Sequence, residues 1–187
     1  DSSTSRGLGD VYKRQDITAN FRPGTMAISI GMLLSALAMT WHLVHFHYVK
    51  FNKESMYEVS KKIILLCIPL LLSAQFIAGI LNEALDLTDT NQELFISMSH
   101  NIFGVLSIAI VVPILEEVLF RGAIEGHLLR KGWSPKWAIL VSALIFGIIH
   151  GNPAQIPFAF LIGLLFGWKY YRTGSRVPGI VGHSINN

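Results

Sequence analysis

From Trp137 to Trp168 the chain contains no charged residue, and between Lys62 and Arg121 its only charges are six acids: Glu83, Asp86, Asp89, Glu93, Glu116 and Glu117. Runs of this kind are what the hydrocarbon core of a bilayer selects, about 30 Å thick and crossed by about 20 apolar residues per helix. Over the 187 residues, 14% are charged and 51% are hydrophobic, where an ordinary soluble domain carries about 25% charged residues. Disordered, fibrous and ordinary soluble classes are thereby excluded. The formal net charge of +3 is too small to argue for nucleic acid, and it reads instead as loop charge that sets orientation in a membrane. The single cysteine, Cys67, lies in an apolar run. It supports no disulfide framework and reads as a small core hydrophobe.

The expected fold is all-α, a multi-pass transmembrane bundle of five to six spans. Their expected limits are Met26–Tyr48, Ile63–Leu81 (with Pro69 as a kink), Asn101 to about Leu129, Trp137–His150, Ile156–Tyr171 and a last one starting at Val177. Residues 1–15, polar and without helical period, read as a non-native leader at a sequencing junction. Residues 16–187 form one domain, with its motif-bearing core at 101–187. Loop charge alternates. Lys50, Lys53, Lys61 and Lys62 follow span one, four acids follow span two, Arg130, Lys131 and Lys136 follow span three, and Lys169, Arg172 and Arg176 follow span five. The basic loops are expected on the cytoplasmic side and residues 81–101 outside.

Against this background, charges inside a span need a reason, because a carboxylate at a helix centre costs at least about 2.5 kcal/mol on insertion scales. Span three holds Glu116-Glu117-Val118-Leu119-Phe120-Arg121. The i,i+4 spacing puts Glu117 and Arg121 on one face as an ion pair, and Glu116, about a quarter-turn away, stays available. His150 lies fourteen residues beyond Lys136, and Glu116 lies fourteen before Arg130. At 1.5 Å per residue, both therefore sit roughly 21 Å from the same boundary. His183 and Asn187, four apart, share a face of the last helix, and Gly182 there leaves room for close approach by a backbone or a substrate. A buried carboxylate can take a proton from water, and imidazole and carboxamide groups can support an oxyanion. Glu, two His and Asn thus suit attack of water on an amide. The same groups could hold Zn²⁺, although no His-Glu-x-x-His helix is present. A purely structural ion pair and satisfied histidines are the plainer alternatives.

The three elements, Glu116-Glu117 with Arg121, Phe146-x-x-x-His150 and His183-x-x-x-Asn187, resemble in kind and order those of the CAAX-protease and bacteriocin-processing (CPBP) family of intramembrane proteases. The resemblance covers about residues 101–187. It implies a multi-pass α-helical endopeptidase acting on a peptide or protein substrate, membrane-anchored or lipidated in some members. It further implies Glu116 as the base that activates water, His150 and His183 as groups that orient the water or support the oxyanion, Asn187 as an oxyanion donor, and Glu117 with Arg121 as residues that order the site. The family has been described both as zinc-dependent and as metal-free, and the metal-free route is favoured. The family fold continues past the third motif, so a chain stopping at Asn187 reads as a fragment. A non-catalytic immunity or scaffold protein and a small proton-coupled transporter remain as rivals.

Outside these motifs, His42, His45 and His47 read as interfacial histidines beside Trp41 and Tyr48. Glu125 and His127 read as cytoplasmic-side polar contacts, and His100 as solvated. Trp133, Trp137, Trp168, Tyr170 and Tyr171 read as an aromatic belt, and Gly147, Gly151, Gly163 and Gly167 as sites of close helix packing.

Overall fold

The computed structural model describes residues 24–49 and 61–187, with side chains from residue 65 onward in the second stretch. The expected leader and the loop charges Lys50, Lys53, Glu54 and Glu58 lie outside the described residues. All regular structure among the described residues is helical. The helices are α1 (Thr25–His45), α2 (Lys61–Ala84), α3 (Gln92–Ser99), α4 (Ile102–Arg130), α5 (Pro135–Ile149), α6 (Ile156–Thr173) and α7 (Val177–Asn186). Three stretches, Thr25–His45, Leu65–Ala84 and Ile102–Arg130, are long and apolar enough to cross a bilayer, and α5 is a shorter apolar helix. The expected spans and the observed helices coincide to within a few residues. This is an integral membrane protein of the all-α class.

Local signals explain the boundaries. Asn101 caps α4 by accepting the Gly104 N–H at 2.8 Å. Pro135, Pro157 and Pro178 occupy first-turn positions of α5, α6 and α7, where a missing N–H costs nothing. Gly174 ends α6 with φ +69°. Helix α2 runs through Pro69 without interruption. Two stretches of α4 widen to π-helical turns, Ser107–Val111 and Glu117–Glu125. Such turns are rare and concentrate at functional sites. Nothing in the 3.6-residue periodicity of the sequence announces them.

The outer face of α2 exposes Leu65, Leu66, Leu72 and Phe76, an apolar surface suited to lipid. Phe120, Phe146, Ile162 and Phe166 form the buried centre together with Leu71, Ala74 and Ala159. Helices α5 and α6 make the most extensive helix pair. A Cβ at Gly163 would lie 3.0 Å from Ala143 Cα and Cβ, so small residues set this contact, as in many membrane helix pairs. Helix α1 lies along α4, tied by Ser107 Oγ to Ser29 O at 3.0 Å, with both serines fully buried. Helix α7 inserts between α2, α6 and the first half of α4. At fifteen residues, α5 is only roughly 22 Å long, shorter than the roughly 30 Å hydrocarbon core of a bilayer.

Candidate functional site

Antiparallel packing of α7 on α4 brings the motif residues together. Gly179 and His183, four apart on α7, meet Glu117 and Glu116 respectively. His183 Nε2 lies 3.3 Å from Glu116 Oε2, with the two side chains 4% and 17% exposed. At Gly179 any Cβ would collide with Glu117 Oε2, so glycine is required for α7 to approach. Glu117 turns away from Glu116 and pairs with Arg121, Oε1 to Nη1 at 3.0 Å, with both side chains essentially sealed from solvent. The pair is close but poorly aligned, and neither atom makes a well-directed hydrogen bond. Arg121 gains further contacts from Gly163 O, which accepts from Nη2 at 3.3 Å, and from the Phe146 and Phe166 rings, 4.7 and 5.6 Å from its guanidinium carbon. A desolvated cation–π contact of this kind contributes about 2 kcal/mol.

Phe146 links the second motif to both histidines. Its fully buried ring stands nearly perpendicular to His150 and to His183, with centroids 4.9 and 5.8 Å away. His150 Nδ1 is 2.7 Å from Phe146 O. A carbonyl only accepts, so Nδ1 carries the proton and Nε2 of the neutral ring is a lone-pair acceptor. Asn187 donates from Nδ2 to Ile108 O at 3.2 Å, which ties the end of α7 to the first π turn of α4.

Glu116, His150, His183 and Asn187 all line one cavity of about 590 Å³, within the size range of small-ligand sites. Glu117 and Arg121 lie behind its wall. The six residues singled out in the sequence therefore divide into four that face an open space and two that support it. Among the described residues no three His, Cys, Asp or Glu side chains stand close enough together to hold a metal ion. No step below is routed through a metal.

Comparison with known proteins points the same way. Residues 98–187 match the family described as type II CAAX prenyl endopeptidase Rce1-like. The chain carries an Rce1-like segment. The resemblance drawn from the three motifs is thereby supported, and the matched residues contain all three. Among curated relatives, "Putative membrane peptidase YdiL" of Bacillus subtilis is 37% identical over 42% of this chain and 32% of its own length. "UPF0177 protein YxdF" of Lactococcus lactis is 28% identical over 63% of this chain and 62% of the relative. "Membrane-embedded CAAX protease MroQ" of Staphylococcus aureus is 32% identical over 53% and 42%. The chain thus spans between about a third and three fifths of the length of these bacterial relatives. No solved structure matches. At the family level, the Rce1-like description and two of the three names denote peptidases.

Several expectations outside the Rce1-like motifs need correction. Glu125 is not a polar contact at the membrane edge. It is fully buried, its two oxygens have no hydrogen-bond partner among the described residues, and a Cβ at Gly167 would come within 2.7 Å of Oε2. Lys169 and Arg176 are not solvated loop charges. Both are buried, and Lys169 Nζ lies 5.1 Å from the Trp168 ring. At Gly182 the close neighbour is the Phe166 ring, 3.0 Å from an added Cβ, rather than a backbone or a substrate. Gly151 packs against nothing within 4 Å, and its φ of +60° shows that it turns the chain at the end of α5. Tyr170 is half-buried, whereas Trp133, Trp137, Trp168 and Tyr171 are exposed as a belt requires. The histidines of α1 lie in an exposed aromatic cluster, His45 stacked on Trp41 at 4.8 Å.

Proposed function

We propose that this chain is an intramembrane endopeptidase that hydrolyses a peptide bond with water activated by Glu116. The observation that carries this reading is the Glu116–His183 contact at 3.3 Å in the wall of a cavity reaching the bundle surface. A carboxylate held by an imidazole, with open space beside it, is what a general base needs.

In the proposed reaction, Glu116 takes a proton from water while the water oxygen attacks the scissile carbonyl carbon. His150, with Nδ1–H bound to Phe146 O, presents Nε2 as an acceptor and orients the second water hydrogen. The resulting oxyanion needs donors, and the Asn187 amide, steadied by Ile108 O, supplies one. Glu116 then returns the proton to the leaving nitrogen as the C–N bond breaks. One water is consumed, and a carboxylic acid and an amine leave. Glu117 and Arg121 touch no reacting atom in this scheme. They fix α4 against α6 and α7 and thereby the direction of Glu116.

The test is cleavage of a peptide library by purified, bilayer-reconstituted protein, read by mass spectrometry. Glu116→Gln and His150→Ala are expected to lower cleavage by about a hundredfold or more, the usual scale of general acid–base catalysis. Cleavage at the wild-type rate in both variants overturns the proposal.

A further inference from the structure

The cavity is asymmetric in charge. Its lining contains two carboxylates, Asp89 and Glu116, and no Lys or Arg. Asp89 is exposed at the rim, yet its position is fixed. Its Oδ1 accepts from Asn152 Nδ2 at 2.8 Å and from Asn91 N at 2.9 Å. Asn152 is fully buried, and its Oδ1 accepts from Thr90 N at 3.2 Å. A buried amide in the α5–α6 loop thus holds the α2–α3 loop with its carboxylate at the cavity mouth. Deeper inside, two buried polar atoms in the lining, Asn82 Oδ1 and His183 Nδ1, have no hydrogen-bond partner among the described residues. His183 itself is only 3% exposed. With Nε2–H directed at Glu116, both atoms are acceptors with unused capacity.

The mouth also has a definite side. Residues 82–101 carry four acids and no Lys or Arg, while Arg130, Lys131, Lys136 and Arg172 lie at the opposite ends of the same helices. The positive-inside bias places that basic end in the cytoplasm.

We infer that the cavity receives its peptide from the non-cytoplasmic side and that Asp89 selects a Lys or Arg side chain on it. The inference deepens the endopeptidase reading by naming a substrate class, and it can be tested without turnover. Full-length Glu116→Gln protein in nanodiscs is titrated with two fluorescent peptides differing at one position, Lys or Glu. The Lys peptide is expected to bind about tenfold more tightly, as one attractive and one repulsive rim contact imply. Adding Asp89→Asn, which keeps the oxygen that Asn152 needs, reduces the preference to within about threefold. So does 0.5 M salt with Asp89 intact, since exposed charges are screened. Equal binding of the two peptides, no binding of either, or a preference that survives Asp89→Asn overturns the inference. For sidedness, Thr88→Cys in a Cys67→Ser background is expected to react with a membrane-impermeant maleimide in intact cells. Reaction only after lysis overturns that half. Failure of the endopeptidase reading would appear separately, as absence of Glu116-dependent cleavage with charge-selective binding intact.

Discussion

The Glu117–Arg121 pair offers the sharpest test of how this bundle tolerates charge. Both side chains are sealed from solvent and 3.0 Å apart, and Arg121 also acts electrostatically on Glu125, four residues further along. Arg121→Met keeps most of the apolar volume but removes the paired cation from Glu117 and Glu125, with Arg176 the remaining cation that acts on Glu117. Loss of one partner of a buried pair costs about 3–5 kcal/mol, mostly from the stranded charge. The lost contacts with Phe146 and Phe166 add about 1–2 kcal/mol. Glu117→Gln strands Arg121 instead and costs about 3 kcal/mol, less because Glu125 remains beside it. In the double variant the Glu117 and Arg121 charges are both gone and only Glu125 keeps a stranded charge, so the loss falls about 2–3 kcal/mol short of simple addition. Glu125→Gln, removing a carboxylate that makes no hydrogen bond, costs less than about 1 kcal/mol and relieves Arg121→Met when combined with it. The assay is reversible unfolding in mixed micelles followed by the fluorescence of the four tryptophans. Additivity of the two single changes to within about 0.5 kcal/mol would refute the reasoning.

Two further expectations concern backbone and metal. Gly179→Ala drives a methyl group into Glu117. It should destabilise by about 1–3 kcal/mol, the usual cost of overpacking, and reduce cleavage. Gly151→Ala, with φ +60° but open surroundings, should cost about 1–2 kcal/mol of backbone strain alone, so equal losses of cleavage in the two would argue against the Glu117 contact. In the proposed metal-free route, cleavage persists in excess chelator. Loss of activity that stoichiometric zinc restores would require a ligand set other than the one described.

Much of this molecule can be read from where charge is missing. The helices follow from apolar runs bounded by Asn101, Ser134-Pro135, Gly174 and Pro178, because lipid forces every backbone group into a helix and leaves few ways to err. The depth argument aligning Glu116 with His150 rests on the fixed rise per residue, and both line the same cavity. What escaped the sequence were features that depend on helix neighbours. The sequence marks a last span starting at Val177, and only the packing of α7 on α4 shows why its third residue, Gly179, must be glycine. Glu125 lies near the basic end of α4 and so reads as peripheral, but the wider turns of Glu117–Glu125 rotate it against Gly167. The Asp89–Asn152 tie joins residues 63 positions apart, beyond the reach of any local pattern.

The ring of Phe146 separates two kinds of charge. On one of its faces sits the Arg121 guanidinium, and at angles to it stand two imidazoles beside a carboxylate proposed to exchange protons in every turnover. One side chain's thickness of hydrocarbon is all that divides them. The ring is therefore a spacer as well as a packing element. The guanidinium joins α4 to α5 and α6, and its field still reaches Glu116 and His183, because hydrocarbon weakens a Coulomb interaction far less than water does. A smaller residue at position 146 would remove the edge against which both histidines stand and leave a gap between framework and chemistry.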